Sequence, residues 1–290
     1  HLIATTNMKF VRDIEVRNEN GQGVLYVAVR NADYSGFTAQ VGDEGLYRSD
    51  DGGQSFTQVM PLVSGQNYHY AVGDLEIGPD NRIWVGSVNA ISTNGNRGGG
   101  DILYSDDGLN FTRVRNTDGE RVELAVAPSN AAFIYALIEK NGVLDKLLRS
   151  TDSGTTWQAL GEPNDDDPGI PSSDFTRGQA WYDLIAQVDP NDESVVVVGG
   201  INLFRSQDTG NTWQQVSHWY GGFGYPYVHA DQHEFIFKPG SSSEILSGSD
   251  GGVAYSSNFN SAFPSFGDRN AAYNVTQYYA GAIDPRAGSN

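Results

Sequence analysis

Apolar residues in this 290-residue chain come in short runs separated by polar, turn-forming stretches, and the runs recur in a fixed order. A strand-like run ends in x-Pro at Gly78-Pro79, Ala127-Pro128, Asp189-Pro190, Lys238-Pro239 and Asp284-Pro285. Proline suits a strand exit because it cannot continue the hydrogen-bonded ladder. Around these exits lie a second run (25–29, 83–88, 133–138, 195–198), a Gly-rich turn, a third run (45–48, 102–104, 146–149, 202–205) and a fourth (57–59, 112–114, 214–216). No stretch sustains a helical period, so the pattern predicts an all-β chain with almost no helix. Four short strands per unit, repeated, predict a β-propeller of four-stranded antiparallel blades.

The turn between the third and fourth runs returns along the chain. It reads Ser49-Asp50-Asp51-Gly52-Gly53-Gln54-Ser55-Phe56, then Ser105-Asp106-Asp107-Gly108-Leu109-Asn110-Phe111, one residue shorter and so expected to differ in geometry. It recurs as Ser150-Thr151-Asp152-Ser153-Gly154-Thr155-Thr156-Trp157, as Ser206-Gln207-Asp208-Thr209-Gly210-Asn211-Thr212-Trp213, and in a worn form at Ser256-Ser257-Asn258-Phe259. The Ser positions are 56, 45, 56 and 50 residues apart, a period that marks an array of one supersecondary unit. Ser and Asp side chains can close the turn on backbone N–H groups, Gly supplies positive φ, and the aromatic anchors the turn in the apolar layer. Ser49, Asp51, Ser105, Asp107, Ser150, Asp152, Ser206 and Asp208 are therefore read as structural. The pattern resembles the Asp-box, or BNR repeat.

The blades fall at roughly 10–60, 72–115, 122–160, 181–216 and 232–260, with the next starting at 275, all within one domain spanning 1–290. Five blades and part of a sixth do not close a ring, so the reading is a piece of a longer chain with further domains. Residues 1–9 belong either to a closing blade or to a preceding segment. A chain starting at His1 rather than Met fits a processed or partial product.

The formal charge of −18 and pI near 4.4 argue against nucleic acid and anionic membranes as partners, since both demand a basic face. No apolar segment approaches membrane-spanning length, so no membrane insertion is expected. The absence of cysteine excludes disulfides and thiolate-held metals.

Antiparallel blades place the boxes on one rim. The second-to-third turns and the crossings between blades lie on the opposite face, where binding and catalysis concentrate. There the crossing at 218–232 carries Trp219, Tyr220, Phe223, Tyr225 and Tyr227, five aromatics in nine residues. These rings either pack the crossing onto the blades or form a platform for sugar rings or protein surfaces. Trp181 and Tyr182 end the crossing at 161–180. The Gly-rich turn at 94–101 and the turn carrying Asp250 share this face.

His229, Asp231 and His233 would share one side of an extended strand, a spacing that suits either a metal or a hydrogen-bonded network. Asp231 and Asp250 are the best available pair for general acid–base work. Arg48, Arg149 and Arg205 precede the box Ser in three blades and are expected to cover an outer strand. Asp165-Asp166-Asp167 reads as a solvated loop, with calcium the alternative. No cofactor is expected beyond such a structural metal.

Two longer stretches, Trp181-Tyr182-Asp183-Leu184 through Ser206, and Val228-His229-Ala230-Asp231-Gln232-His233 with Ser249-Asp250-Gly251-Gly252-Val253, resemble secreted Asp-box propellers of Bacteroidetes-type bacteria, grouped with sortilin-type and glycosidase-like propellers. The resemblance implies a secreted or cell-surface location and, in many relatives, a C-terminal sorting domain. Sialidases share the box but carry an Arg-Ile-Pro motif near the start, where this chain has Phe10-Val11-Arg12-Asp13-Ile14. Xyloglucan-cleaving relatives use Asp residues between two propellers, and sortilin-type propellers bind peptides in the central tunnel.

The leading expectation is a binding or interaction module for a glycan or protein ligand, its face built from Trp181, Tyr182, Trp219, Tyr220, Tyr225, Tyr227, His229, Asp231, His233 and Asp250. The alternative is a glycoside hydrolase using Asp231 and Asp250. A third reading, a structural domain of an adhesin, predicts no useful concavity on that face.

Overall fold

The computed structural model describes residues 8, 10–30, 32–34, 37–39, 43–90, 98–171 and 173–271. Among them there is no helix. The start of a sixth blade at 275, the last x-Pro exit, most of residues 1–9 and the first half of the 94–101 turn lie outside the described residues.

Each blade is an antiparallel meander of four strands. The first contains Val11–Glu19, Gln22–Val29, Gly45–Ser49 and Thr57–Gln58. The second contains Ala71–Ile77, Ile83–Val88, Asp101–Ser105 and Thr112–Asn116. The third contains Arg121–Val126, Ile134–Lys140, Val143–Ser150 and Gln158–Leu160. A single Arg121–Val88 pairing joins the second and third sheets. The fourth contains Ile185–Asp189, Asp192–Gly199, Leu203–Ser206 and Gln214–Gln215. The fifth contains Gln232–Phe237, Ile245–Ser249, Gly252–Ser256 and Gly267–Asp268. Its last strand lies past the 232–260 span read from the sequence, because the worn box is followed by a longer turn in which Asn258 accepts from Ser265 N–H at 2.9 Å.

The core is layered between the blades, one cluster per interface. Tyr26 and Leu46 of the first blade meet Leu75, Ile83 and Leu103 of the second. Trp84 and Ile102 meet Val122, Leu124 and Ile134 of the third. Leu137 and Leu147 meet Ala186, Val198 and Phe204 of the fourth. Val197 and Leu203 meet Phe235, Ile245 and Phe259 of the fifth. The box aromatics Phe111, Trp157 and Trp213 each pack on the cluster that joins their blade to the one before.

The box turns close on themselves as their residue types dictate. In the first, the Ser49 hydroxyl donates to Asp51 at 2.8 Å and accepts from Gly53 N–H at 2.9 Å, while Asp51 accepts from Gln54 and Ser55 N–H. In the shorter second copy the accepted N–H comes from Gly108, three residues after Ser105 rather than four. Hydrogen bonds from Ser55 and Ser49 hold the Asp51 carboxylate well below its usual range, and those from Asn110 and Leu109 do the same for Asp107. Asp152 and Asp208 are held down chiefly by Thr156 and Thr212. Their acceptor capacity is spent inside the turn.

From the second copy onward, the box also sits on the preceding blade. Gly108 lies against the Tyr26 hydroxyl, and a Cβ on Gly154 would approach the Trp84 ring to 2.5 Å. Arginines staple the same seam. Arg149 donates to Thr209 of the fourth box, and Arg205 donates to the Phe259 and Ser261 carbonyls of the fifth. Arg149 and Arg205 therefore bridge blades rather than cover an outer strand; Arg48 stays within its own blade on Glu19 and Asp50.

Gly154 combines φ of +80° with this close approach, so Gly154→Ala is expected to cost about 2–4 kcal/mol. Chemical denaturation monitored by tryptophan fluorescence measures it. A loss under about 0.5 kcal/mol, the range of ordinary surface changes, would show that the turn does not press on Trp84.

Candidate functional site

The first strands of the blades line a central channel of ≈ 280 Å³, and those of the first, second, third and fifth blades carry acid into it. A β-bulge precedes Asp13 and another precedes Asp74. Bulges re-aim side chains, and here each carboxylate reaches the next blade: Asp13 accepts from Leu75 N–H at 3.0 Å and Asp74 from Leu124 N–H at 2.7 Å. Burial first, then the charges of Glu123 and Glu76, push Asp74 well above its ordinary value. Burial, then Glu15 and Asp13, does the same for Glu76. Burial raises Glu234 to about 7 and, with Arg121 beside it, lowers Arg12 to about 10. The sequence signal was the acids of the first runs, alternating as Asp13/Glu15 and Asp74/Glu76 and single at Glu123 and Glu234, which do not stand out from the surface acids of a chain this negative.

At the end of the channel opposite the boxes, the crossings into the fourth and fifth blades bring several of the expected residues together. The Tyr182 hydroxyl donates to Asp250 at 2.8 Å, and His233 Nε2 lies 2.7 Å from the same carboxylate. The Tyr182 ring meets His233 edge-on at 4.6 Å and Trp181 at 5.4 Å. Against the upward push of burial, the His233 and Tyr182 bonds hold Asp250 below its usual value. Asp231 moves the other way, raised by burial and then by Asp250. Beneath them lies Asp183, fully buried, which sequence reasoning missed. Its carboxyl faces Asp231, neither of its oxygens accepts a well-formed hydrogen bond, and burial followed by the Asp231 charge raises it to about 9.

The trio His229, Asp231 and His233 does not form one face. Asp231 adopts φ of +64°, and a register shift falls between Gln232 and Glu234, so the alternation assumed for an extended strand is broken. His229 turns to the Ala230 carbonyl at 3.1 Å, while His233 turns to Asp250. Among the described residues no three His, Asp or Glu side chains are placed to hold a metal ion, which applies also to Asp165–Asp167.

The aromatic crossing is both packed and open. Trp219 Nε1 donates to Asp167 at 3.0 Å and Tyr225 donates to Asp166 at 2.6 Å, so the acid loop clamps those two rings. His218 is buried beneath, its Nδ1 accepting from Gly222 N–H at 3.2 Å. Tyr220, Phe223 and Tyr227 stay 52%, 53% and 57% exposed, and Trp181 across the face 58%. Tyr227 and His229 border a further hollow of ≈ 240 Å³ with Gly251, Asp268 and Asn270. Of the open rings, Tyr227 is the one that lines this hollow.

No protein-family model matches the chain. A xyloglucanase of Paenibacillus sp. is 30% identical over 143 residues, 48% of this chain and 12% of that protein. Sortilin of Rattus norvegicus is 29% identical over 119 residues, 41% of this chain and 14% of that protein. The chain thus matches only a small part of these much longer relatives. Among solved structures, YCF48 from Cyanidioschyzon merolae aligns with a TM-score of 0.52 at 13% identity, covering 87% of this chain and 68% of that one. An auxiliary nutrient binding protein from Bacteroides ovatus aligns at 0.52 and 11% identity, covering 86% and 55%. An ancestral GH74 enzyme aligns at 0.50 and 15% identity, covering 91% and 41%. The fold is a β-propeller. Among the described residues no helix is long and apolar enough to cross a membrane.

The raised Asp183 carboxyl makes a signed prediction. Its contribution to stability is complete below its unfolded value of about 4 and is lost as pH rises through about 9. Relative to the parent, Asp183→Asn should gain stability across that window by at most ~1.4 kcal/mol per pH unit. Urea midpoints at pH 5, 7 and 9 read the difference; a gap that does not change with pH would mean that Asp183 ionises normally.

Proposed function

We propose that this propeller is a glycan-binding module, secreted or displayed at a cell surface, whose ligand lies across the face opposite the boxes. The observation that carries the reading is the set of open rings, Trp181, Tyr182, Tyr220 and Tyr227, with hydrogen-bonding acids among the same crossings and Tyr227 lining a hollow of ≈ 240 Å³. A pyranose ring presents an apolar face to an aromatic plane and hydroxyls to flanking carboxylates. Trp219, itself 37% exposed, and Tyr225 are held in place by Asp167 and Asp166, which take their polar ends.

A glycoside hydrolase is the second reading. It is favoured by the opposite electrostatics of Asp231, held up, and Asp250, held down, the pattern by which two carboxylates divide acid and base roles.

A polysaccharide panel scored for retention and for release of reducing ends tests both. Retention without release is expected, with Trp181→Ala and Tyr220→Ala each weakening binding roughly tenfold while circular dichroism stays unchanged. Release that disappears in Asp231→Asn or Asp250→Asn would make the hydrolase reading the correct one. No retention of any polysaccharide would remove the glycan reading.

A further inference from the structure

Three carboxyl groups, Asp183, Asp231 and Asp250, meet at the mouth between the fourth and fifth blades. The basic groups near them are already engaged. His233 Nε2 faces Asp250, and His229 turns to the Ala230 carbonyl. Arg121 supplies the guanidinium on the inner side, but it donates to the Ala180 and Leu184 carbonyls and to Glu123. Asp183 is 0% exposed, and neither of its oxygens has a well-formed hydrogen bond. A buried carboxyl whose neighbour is another carboxyl, here Asp231, stays neutral by keeping its proton. That proton stands where a cation would otherwise be.

The reachable members of the cluster are Asp231 and Asp250. Asp231 accepts only a long bond from Gln179, 3.4 Å, besides facing Asp183. The Asp250 N–H is tied to the Asp231 carbonyl at 3.3 Å, which keeps the two acids together. Beside them stand Trp181 and the Tyr182 ring, both open to solvent. No three ligating side chains converge on a point among the described residues, so a compact metal ion is not what the arrangement fits. A charge carried on a larger ring, able to reach separate acceptors while the ring lies on Trp181, does fit.

We infer that this mouth is a subsite for a protonated amino sugar, its ammonium group seated against Asp231 and Asp250 and its ring on Trp181. The inference rests on the glycan-binding reading of the face and names the sugar class. Arrival of the ammonium favours ionisation of the Asp183–Asp231 pair, and the Asp183 proton leaves to solvent. The groups that bear on this titration are Asp231, Asp250, Tyr182, His229, His233 and Arg121.

The test is calorimetry at pH 7 with a glucosamine tetrasaccharide and its fully N-acetylated counterpart, each in two buffers of different ionisation enthalpy. The amine form is expected to bind roughly ten- to hundredfold more tightly, as for a charge-assisted hydrogen bond. Its binding should release protons, at most about one per ligand. Asp231→Asn should remove the preference, and Asp183→Asn should remove the proton release. Equal affinity for the two tetrasaccharides, or release that persists in Asp183→Asn, overturns the inference. So does tighter binding of tetralysine than of the amine sugar. The proton count in the unmodified protein needs no variant to fold. Retention of a neutral polysaccharide in the wider panel reports on the glycan reading alone, so its failure and the failure of this subsite are read separately.

Discussion

The seating of the box turns, from the second onward, on the blade before is the contact on which the other features depend. A turn that has satisfied its own polar groups can be pressed against apolar surface without leaving donors unpaired. Ser, Asp and Gly achieve that within eight residues, and the turn then lies on Tyr26 or on Trp84 with its aromatic wedged into the same seam. Arg149 and Arg205 cross the seam and cap backbone carbonyls of the next box. Each blade is thereby fixed in angle and height relative to its neighbour. The opposite strand ends are brought into one layer as a result, and that layer is where the crossings can differ without disturbing the array.

Acidity is put to two different uses in this molecule. On the box rim the carboxylates accept several short hydrogen bonds each and are held ionised although they are exposed. In the channel, and at Asp183 and Asp231 in its mouth, the carboxyls are crowded and desolvated, and they are pushed up instead. Hydrogen bonding from fixed donors favours the charged form, while burial and like charge disfavour it. The two populations oppose one another in their pH dependence, the first supporting the fold above the ordinary carboxylate range and the second below it.

The candidate face is assembled from loops that lean on each other rather than on a single element. Asn202 donates to Asp165 and accepts from Trp219 N–H, tying the acid loop to the aromatic crossing. Gln232 N–H donates to the Gly200 carbonyl, anchoring the start of the fifth blade on the fourth. Tyr182 and Asp250, 68 residues apart, then meet across that anchor. The supporting bonds leave several rings open while locking the ends of others, which is how one stretch of aromatics both packs the crossing and offers a surface.

Much of this was readable from local pattern, because a turn motif, a proline at a strand exit and a short apolar run each report on a few neighbouring residues. They determined the all-β class, the four-stranded unit, its repetition, the structural role of the box acids, and which rim carries the variable loops. Tyr182, His233 and Asp250 could be marked as candidates on residue type, but their meeting could not. The stripe drawn through His229, Asp231 and His233 failed because a left-handed residue and a bulge interrupt the strand, and both depend on how the fifth blade joins the fourth. Arg149 and Arg205 were misplaced because their partners belong to the next repeat. Asp183 is the clearest case: beside Tyr182 it looks like any acid in a negative chain, and only the closing of two blades over it removes its water, brings Asp231 against it and gives it a proton. Hydrogen bonds within a turn are written in the sequence, whereas desolvation is a property of what folds around a group, and that was decided by the tertiary structure alone.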